Sequence, residues 1–297
     1  MDAMQTSFGE FTAAFARDRV AVCAAAALAL VLLAAVFAPL ISPQNPYDLA
    51  QLDILDSKLP PGAKSMAGTT YWLGTDDQGR DMLSGILYGL RISLGVGALS
   101  TIVALAIGMV VGLTAAYAGG WTDSIIMRLV DLQLSFPAIL IALVLLALVG
   151  QGVDKIVIAL ITVQWAYYAR TVRAAALAEK RKEYVDAARV MAYTTPRIVF
   201  RHIMPNVLPP LIVVATVQVA HAIALEATLS FLGLGMPITS PSLGLLISNG
   251  FAYLVSGKYW ISVFPGVALL ITIVAINLVG DRLRDVLNPR LHSHFGV

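Results

Sequence analysis

The stretch 183-EYVDAARVMAYTTPRIVFRHIMPN-206 sets the organisation of this chain. It carries acidic and basic side chains, yet long apolar runs lie on both sides of it. Ionised groups are costly inside a bilayer and therefore face water, a cavity or a partner. We predict that residues 178–206 form a loop in water between two membrane-spanning helices.

The rest of the chain has the composition of an integral membrane protein. Hydrophobic residues make up 58% of it and charged residues 13%, whereas an ordinary globular domain has about 25% charged residues. A helix needs roughly 20 apolar residues to cross the hydrocarbon core. The runs that are nearly free of charge predict six spans, at residues 20–41, 92–117, 125–149, 156–177, 203–225 and 261–279.

The distribution of Lys and Arg sets the predicted orientation. With both termini in the cytoplasm, 14 of the 20 Lys and Arg residues lie on the cytoplasmic side, as the positive-inside rule requires. The predicted fold is an all-α integral membrane protein with six transmembrane helices and N-in, C-in topology. Its order is a cytoplasmic segment 1–19, the first span 20–41, a large extracytoplasmic segment 42–91, a membrane core 92–280 that includes the cytoplasmic loop 178–206, and a cytoplasmic tail 281–297.

Three segments depart from regular spans in this prediction. Residues 77–90 are expected to form a short interfacial helix before the second span. The run 227–257 is free of charge, but its glycines and prolines predict a partly re-entrant cap on the outer side, because irregular backbone at membrane depth must be covered by protein or line a cavity. Pro137, inside the third span, either kinks the helix or is tolerated there.

Local patterns predict a helix, a sharp turn and a second helix within the loop. Small and apolar side chains recur at the spacing of one helical face, namely Tyr184, Ala187, Ala188 and Met191. Thr195 followed by Pro196 predicts an N-cap with proline in the first helical position. The residues alone leave two interpretations open: a docking surface for another protein, or an amphipathic segment that lies on lipid headgroups.

A few polar residues lie within the predicted spans. Gln218, His221 and Glu226 cover an arc of about 140° on the fifth span. They are candidates for lining a translocation path, and the alternative is that Glu226 only reaches the interface. Asn277 in the sixth span is a further path candidate, with an interhelical hydrogen bond as its alternative. Arg128 and Asp131 lie at i and i+3 and are predicted to form a structural ion pair.

Several kinds of function find no support in the sequence. The net charge of +2 does not favour a nucleic-acid partner. The single cysteine, Cys23, cannot form a disulfide within the chain, and the four scattered histidines do not have metal-ligand spacing. A Gly-rich phosphate-binding loop is missing as well. We therefore predict no cofactor and no metal in this chain, and no enzymatic activity.

The loop resembles the EAA loop of bacterial ABC importer permeases. Asp186-Ala187-Ala188 takes the opening of that motif, Ala192 its glycine position, His202 its isoleucine position and Met204-Pro205 its ending. Further blocks resemble the C-type subunit of the dipeptide and oligopeptide (peptide/nickel) transport family. These blocks are 73-LGTDDQGRD-81, 89-GLRISL-94, 229-LSFLGLG-235, 264-FPG-266 and 277-NLVGDRLRD-285.

The resemblance implies a coupling helix that docks in a cleft of an ATPase subunit. The docking residues it implies are Glu183, Tyr184, Asp186, Ala187, Ala188, Arg189, Ala192 and Pro205. Two residues depart from the family pattern. Ala192 replaces the usual glycine, which makes a tight turn with positive φ less favourable, and Leu243 stands where a tryptophan is usual in the outer loop.

The resemblance also implies a function. The chain would be a permease subunit in the bacterial inner membrane that forms, with a paralogous permease as a heterodimer, the path for short peptides. An extracytoplasmic binding protein would deliver them, and two ABC ATPase subunits would bind ATP and Mg. The alternatives are an ion-gradient-driven secondary transporter, a membrane enzyme, or a nickel, glutathione or opine permease of the same family.

Overall fold

The computed structural model describes residues 13–48, 52–65, 68–237 and 239–287. Most of the N-terminal segment 1–19 and residues 288–297 of the predicted tail lie outside them. The helices are α1 (Arg19–Val36), α2 (Ala38–Ile41), α3 (Met82–Ala118), α4 (Gly120–Ser135), α5 (Ala138–Val149), α6 (Val153–Glu179), α7 (Glu183–Val190), α8 (Thr195–Ile198), α9 (Met204–Phe231), α10 (Leu243–Phe251) and α11 (Trp260–Leu287). A π-helical segment, Val199–Ile203, joins α8 to α9.

A small amount of non-α structure lies between α2 and α3. It consists of a 3-10 turn at Ile54–Asp56 and two short antiparallel strands, β1 (Ala63–Lys64) and β2 (Thr70–Tyr71), in which Ala63 pairs with Tyr71. The mainly helical prediction is therefore confirmed for the described part of the chain.

Four helical runs among the described residues are long and apolar enough to cross a membrane. They are α1, α3, the run Thr195–Phe231 that ends with α9, and α11. The bent pair α4–α5 makes a fifth if it is counted as one span. Helix α6 has 27 residues, about 40 Å at 1.5 Å per residue, but Arg170, Arg173 and other polar residues lower its hydropathy. The six-span count therefore stays a prediction.

The predicted interfacial helix at 77–90 is not a separate element. Asp81 caps α3 by accepting a hydrogen bond from the Ser84 amide at 2.8 Å, and the helix then runs unbroken for 37 residues. The predicted break between a helix at 77–90 and the span that follows was wrong, because Arg91 interrupts the apolar run without breaking the helix. At about 55 Å, α3 exceeds the hydrocarbon thickness and joins the two ends of the molecule.

The third predicted span is sharply bent. Helices α4 and α5 meet at 87°, so of the two alternatives for Pro137 the structure shows the kink. Pro137 has no amide hydrogen and forces the residue before it out of the helical region. Phe136 accordingly has φ −93° and ψ 140°, and α4 ends there.

The core is built on close contact between α3 and α6. Gly108 and Gly112 lie on α3 where Tyr168, Ala169 and Val172 of α6 approach, and a Cβ at either glycine would overlap those groups. Small residues that let helix backbones approach are characteristic of membrane interfaces. The two helices run in the same direction, from the cap end (residues 52–65, 68–81 and 239–260) to the loop end (residues 178–206).

Candidate functional site

The loop end has a helix, a tight turn and a second helix, as the local pattern predicts. Helix α7 follows Lys182, and the turn after it is closed by a hydrogen bond from the Tyr193 amide to the Ala188 carbonyl at 3.2 Å. Ala192 has φ +54°, so it adopts the left-handed conformation without being glycine. Such a conformation costs alanine about 1 kcal/mol relative to glycine.

The start of the second helix differs by one residue from the prediction. Thr194, with φ −64° and ψ 148°, occupies the N-cap position, and Thr195 is already helical, with Pro196 in its first turn. The Thr194 side chain makes no capping hydrogen bond. The predicted N-cap at Thr195 was therefore wrong, although Pro196 still marks the beginning of the helix.

Helix α7 buries one face and exposes the other. Val185 and Ala188 are buried in a cluster with residues from α3, α6 and α9, among them Leu113, Val172 and Val207. The pattern that grouped Ala188 with Met191 on one face was wrong, because it left out Val185, which sets the orientation of the helix. Ala188 is covered by its own chain and does not present its side chain to a partner.

The outer face of α7 combines charge with bare apolar surface. Most of the residues predicted for docking are exposed there, namely Glu183, Asp186, Ala187, Arg189 and Ala192. Arg189 pairs with Asp186 at 2.7 Å. Val190 and Met191 are 87% and 60% exposed. Sequence reasoning did not single out Val190, although the sequence shows an apolar side chain there, next to Met191 and on the side of the helix away from Val185.

Tyr184 points into the loop end rather than outward. Its hydroxyl donates to Glu179 Oε2 at 2.6 Å and accepts from Asn206 Nδ2 at 3.2 Å. Partial burial and the Glu179 carboxylate raise the pKa of Tyr184 to about 12. Burial alone would raise the pKa of Glu179, but hydrogen bonds from Lys182 and Tyr184 lower it. Tyr184 thus connects the end of α6 to the first turn of α9.

A second connection joins α6 to α3. Lys180 Nζ donates to the carbonyl oxygens of Ala116 and Tyr117, at 3.0 and 3.1 Å, and lies 5.1 Å from the centre of the Tyr117 ring. These carbonyls belong to the last turn of α3, where a cation is favourable. The Tyr117 hydroxyl also donates to Thr195 at 3.3 Å.

The ion pairs of α4 join it to α6 and do not form between residues of α4 itself. Asp131 pairs with Arg170 of α6, and Asp123 pairs with Arg173 through two contacts of 2.5 Å. The predicted pair between Arg128 and Asp131 was therefore wrong. Arg128 is exposed and has no ion pair among the described residues. Helix α4 lies against α6, which brings the Arg170 guanidinium to the Asp131 carboxylate.

The predicted path residues on α9 do not share one surface. Glu226 is 0% exposed and accepts hydrogen bonds from Ser93 and Ser230, each at 2.8 Å. A solute cannot contact it in this structure, which favours a structural role for Glu226 over the predicted path-lining role. His221 is exposed and Gln218 half-buried. These two and the half-buried Asn277 of α11 remain candidates.

The cap end is held together by buried polar contacts. Arg80 and Asp76, both buried, form an ion pair of 2.6 Å, and Trp260 Nε1 donates to the Thr75 carbonyl at 3.1 Å. Leu243, which stands at the usual tryptophan position of the outer loop, is buried against Gly89. This residue therefore contributes to the core and not to an outer contact.

Comparison with known proteins identifies the family. Residues 104–293 match the family described as the binding-protein-dependent transport system inner membrane component, and residues 6–61 match the N-terminal TM domain of oligopeptide transport permease C. A di/tripeptide transport system permease protein of Pseudomonas aeruginosa is 36% identical over 284 residues, 96% of this chain and 92% of that protein.

Two other relatives are named for the transport of different substrates. A dipeptide transport system permease protein of Haemophilus influenzae is 36% identical and covers 97% of both chains. A glutathione transport system permease protein of Pectobacterium atrosepticum is also 36% identical, over 98% of this chain and 93% of its own length.

A solved structure supports the fold independently. A chain of the MetNI methionine ABC transporter, crystallised in an inward-facing conformation, aligns with a TM-score of 0.58 at 22% identity. The alignment covers 69% of this chain and 97% of that one. Together, the apolar helices, the exposed α7 loop and the family matches show that the chain is a multi-pass membrane protein and not an enzyme, and that it belongs to the inner-membrane permease components of binding-protein-dependent ABC importers.

Proposed function

We propose that this chain is the C-type permease subunit of a bacterial ABC importer for short peptides. In this proposal it lies in the inner membrane with both termini and the 178–206 loop in the cytoplasm, and α6 is the fourth of six spans. It forms a heterodimer with a paralogous permease, two ABC ATPase subunits bind ATP and Mg, and an extracytoplasmic binding protein delivers the peptide.

The observation that carries the proposal is the outer face of α7. Val190, the last residue of α7, and Met191, directly after it, expose apolar surface next to the charged side chains of Glu183, Asp186 and Arg189. Exposed apolar side chains grouped in this way mark contact sites. The inner face of α7 is fixed on α3, α6 and α9, so a protein bound to the outer face can act on three long helices. A helix that only lay on lipid headgroups would place Val190 and Met191 in the membrane instead.

The substrate class rests on the relatives. Those compared above are named for di/tripeptide, dipeptide and glutathione transport, and glutathione is itself a small peptide. A short peptide is therefore the class common to them. A secondary transporter driven by an ion gradient is not favoured, because it has no need of a rigid docking helix in water and because Glu226, the ionisable group at the outer end of the fifth predicted span, is fully covered.

The test removes the apolar surface of α7 and asks whether the ATPase is lost. The double variant Val190→Asp/Met191→Asp is purified in mild detergent together with its partners. We expect ATPase recovery to fall at least about tenfold, the equivalent of about 1.4 kcal/mol. The matched control is Val255→Asp, an equally exposed valine at the cap end.

Each outcome decides the proposal. Loss of the ATPase from the α7 variant, with normal recovery from Val255→Asp, supports docking at α7. Recovery of a P-loop ATPase with the α7 variant at the wild-type level would contradict the docking surface. Purification of the wild-type chain without any ATPase would contradict the proposed function as a whole.

A further inference from the structure

We infer that Tyr184 is a positioning residue that makes α9 move together with α6 when α7 is displaced. The inference rests on the proposed function, because it takes the ATPase as the source of the displacement. It assigns Tyr184 a role inside the chain, in place of the outward docking role that the sequence predicts.

The Tyr184 hydroxyl forms one hydrogen bond as a donor and one as an acceptor, and the two partners lie on different helices. It donates to Glu179, the last residue of α6, and accepts from Asn206 in the first turn of α9. Glu179 is held in turn by Lys182 at 2.6 Å. A hydrogen bond to a carboxylate is stronger and more directional than a neutral one. The three side chains therefore form a bridge across the base of α7.

The other contacts of α7 do not fix α9 in the same way. Val185 and Ala188 pack into the apolar cluster, and apolar contact is non-directional, so it permits sliding. Lys180 ties α6 to α3 and not to α9. Along the chain, α7 reaches α9 only through the turn at 191–194, α8 and the π-helical segment Val199–Ile203. A π-helical segment is a rare irregularity that is frequently found at functional sites.

The first turns of α9 are held less firmly by their own backbone than the rest of the helix. Pro205, Pro209 and Pro210 have no amide hydrogen to donate, and they lie within the first seven residues of α9. Asn206 sits among them and also donates to the His202 carbonyl at 2.7 Å. Where backbone hydrogen bonds are missing, a side-chain anchor decides the position of the helix end. Tyr184 supplies that anchor.

The test measures the movement of α6 and α9 separately in the complete complex. Spin labels are placed at Val255 as the reference and at either Tyr167 on α6 or Ile212 on α9, all of them exposed, in a Cys23→Ala background. Pulsed EPR compares the nucleotide-free complex with the complex trapped by ATP and vanadate. In the wild type we expect both distances to change.

Tyr184→Phe should separate the two movements. It keeps the ring but removes both hydrogen bonds, so the nucleotide-dependent change at Ile212 should shrink at least about threefold while the change at Tyr167 persists. The matched control is Tyr193→Phe, on the same loop, whose hydroxyl makes no hydrogen bond among the described residues. Glu179→Gln keeps an acceptor and should behave as wild type, whereas Glu179→Leu should reproduce Tyr184→Phe.

The result distinguishes this inference from the proposed function. If the ATPase remains bound and Tyr184→Phe shows the wild-type change at both positions, the bridge does not position α9 and the inference is wrong. The inference is also wrong if, in the wild type, only the distance to the label at position 167 changes and the distance to the label at position 212 does not. If no ATPase is recovered with the wild-type chain, the failure lies in the proposed function.

Discussion

The two ends of the molecule are held together by different kinds of contact. At the cap end the paired polar groups are shielded from solvent. Arg80 and Asp76 form an ion pair with 2% and 0% of their side chains exposed, and Glu226 accepts hydrogen bonds from two serines. At the loop end the ion pair on α7 is open to solvent, with Asp186 and Arg189 exposed by 61% and 41%. Hydrogen bonds in a dry interior are stronger than those in water. We therefore expect the cap end to be rigid and the loop end to be more easily deformed.

Helix α9 shows the same difference along its own length. Near the cap end, Glu226 ties it to α3 by accepting a hydrogen bond from Ser93. Near the loop end, three prolines and the π-helical segment weaken its backbone. A helix that is fixed at one end and deformable at the other can swing its loop end while the cap end stays in place. This is the motion that a docked ATPase would drive.

The largest expected difference between the two ends is in the effect of breaking an ion pair. Asp76→Ala removes the carboxylate that pairs with the buried Arg80 guanidinium at 2.6 Å and should destabilise the protein by about 3–5 kcal/mol. Asp186→Ala breaks an exposed pair and should cost less than about 0.5 kcal/mol. Thermal unfolding in detergent measures both. Equal effects would show that the cap end is not the more rigid part.

The next largest effect is expected from substitutions of Glu226, whose carboxylate accepts hydrogen bonds from Ser93 and Ser230. Glu226→Leu leaves the Ser93 and Ser230 hydroxyls without their acceptor and should cost about 2–3 kcal/mol. Glu226→Gln keeps one acceptor oxygen and should cost about 1 kcal/mol. Peptide uptake by proteoliposomes containing Glu226→Gln should keep the wild-type kinetics. A changed KM for the peptide would instead restore Glu226 to the translocation path.

The proline-rich start of α9 gives a smaller effect. Pro209→Ala and Pro210→Ala each restore an amide donor, so amide hydrogen exchange over residues 204–212 should slow by about tenfold. Pro265→Ala in α11 serves as the control, because that proline also lies inside a helix but does not contribute to α9. If exchange is already slow in the wild type, the loop end of α9 is not deformable.

The smallest effect is expected at the turn after α7. Ala192→Gly removes the strain of an alanine at φ +54° and should stabilise the turn by about 0.5–1 kcal/mol. Ala187→Gly, in the middle of α7, should destabilise by a similar amount because glycine disfavours helix interiors. A stability measurement in which both substitutions act in the same direction would contradict the left-handed conformation of Ala192.

Sequence reasoning succeeded where local rules decide. The apolar runs gave the positions of the long helices, and the spacing in 183–191 gave a helix followed by a turn. It failed where a tertiary partner outcompetes a local one. Asp131 has Arg128 at i−3, yet it pairs with Arg170 of another helix. In the sequence, Glu226 was interpreted as part of a polar arc on a membrane helix. The packing of α3 against α9 shows that it is buried and accepts a hydrogen bond from Ser93.

Two further features needed the structure for a related reason. The bend at Pro137 could be anticipated, but its angle depends on how α5 packs. Tyr184 lay within a motif associated with docking, so sequence reasoning placed it on the outer face. The orientation of α7 is set by Val185, a residue that the pattern did not include. The bridge from Glu179 to Asn206 therefore appears only when α6 and α9 are brought together.

The central claim is that the outer face of α7 contacts an ATPase. The most direct test places a photo-crosslinking amino acid at Met191 in the native membrane and, in a separate variant, at Val255, both exposed in the free chain. The account predicts that Met191 is crosslinked to a chain with a P-loop motif and that Val255 is not. Crosslinking of Met191 to lipid alone, or of Val255 to the ATPase, would contradict it.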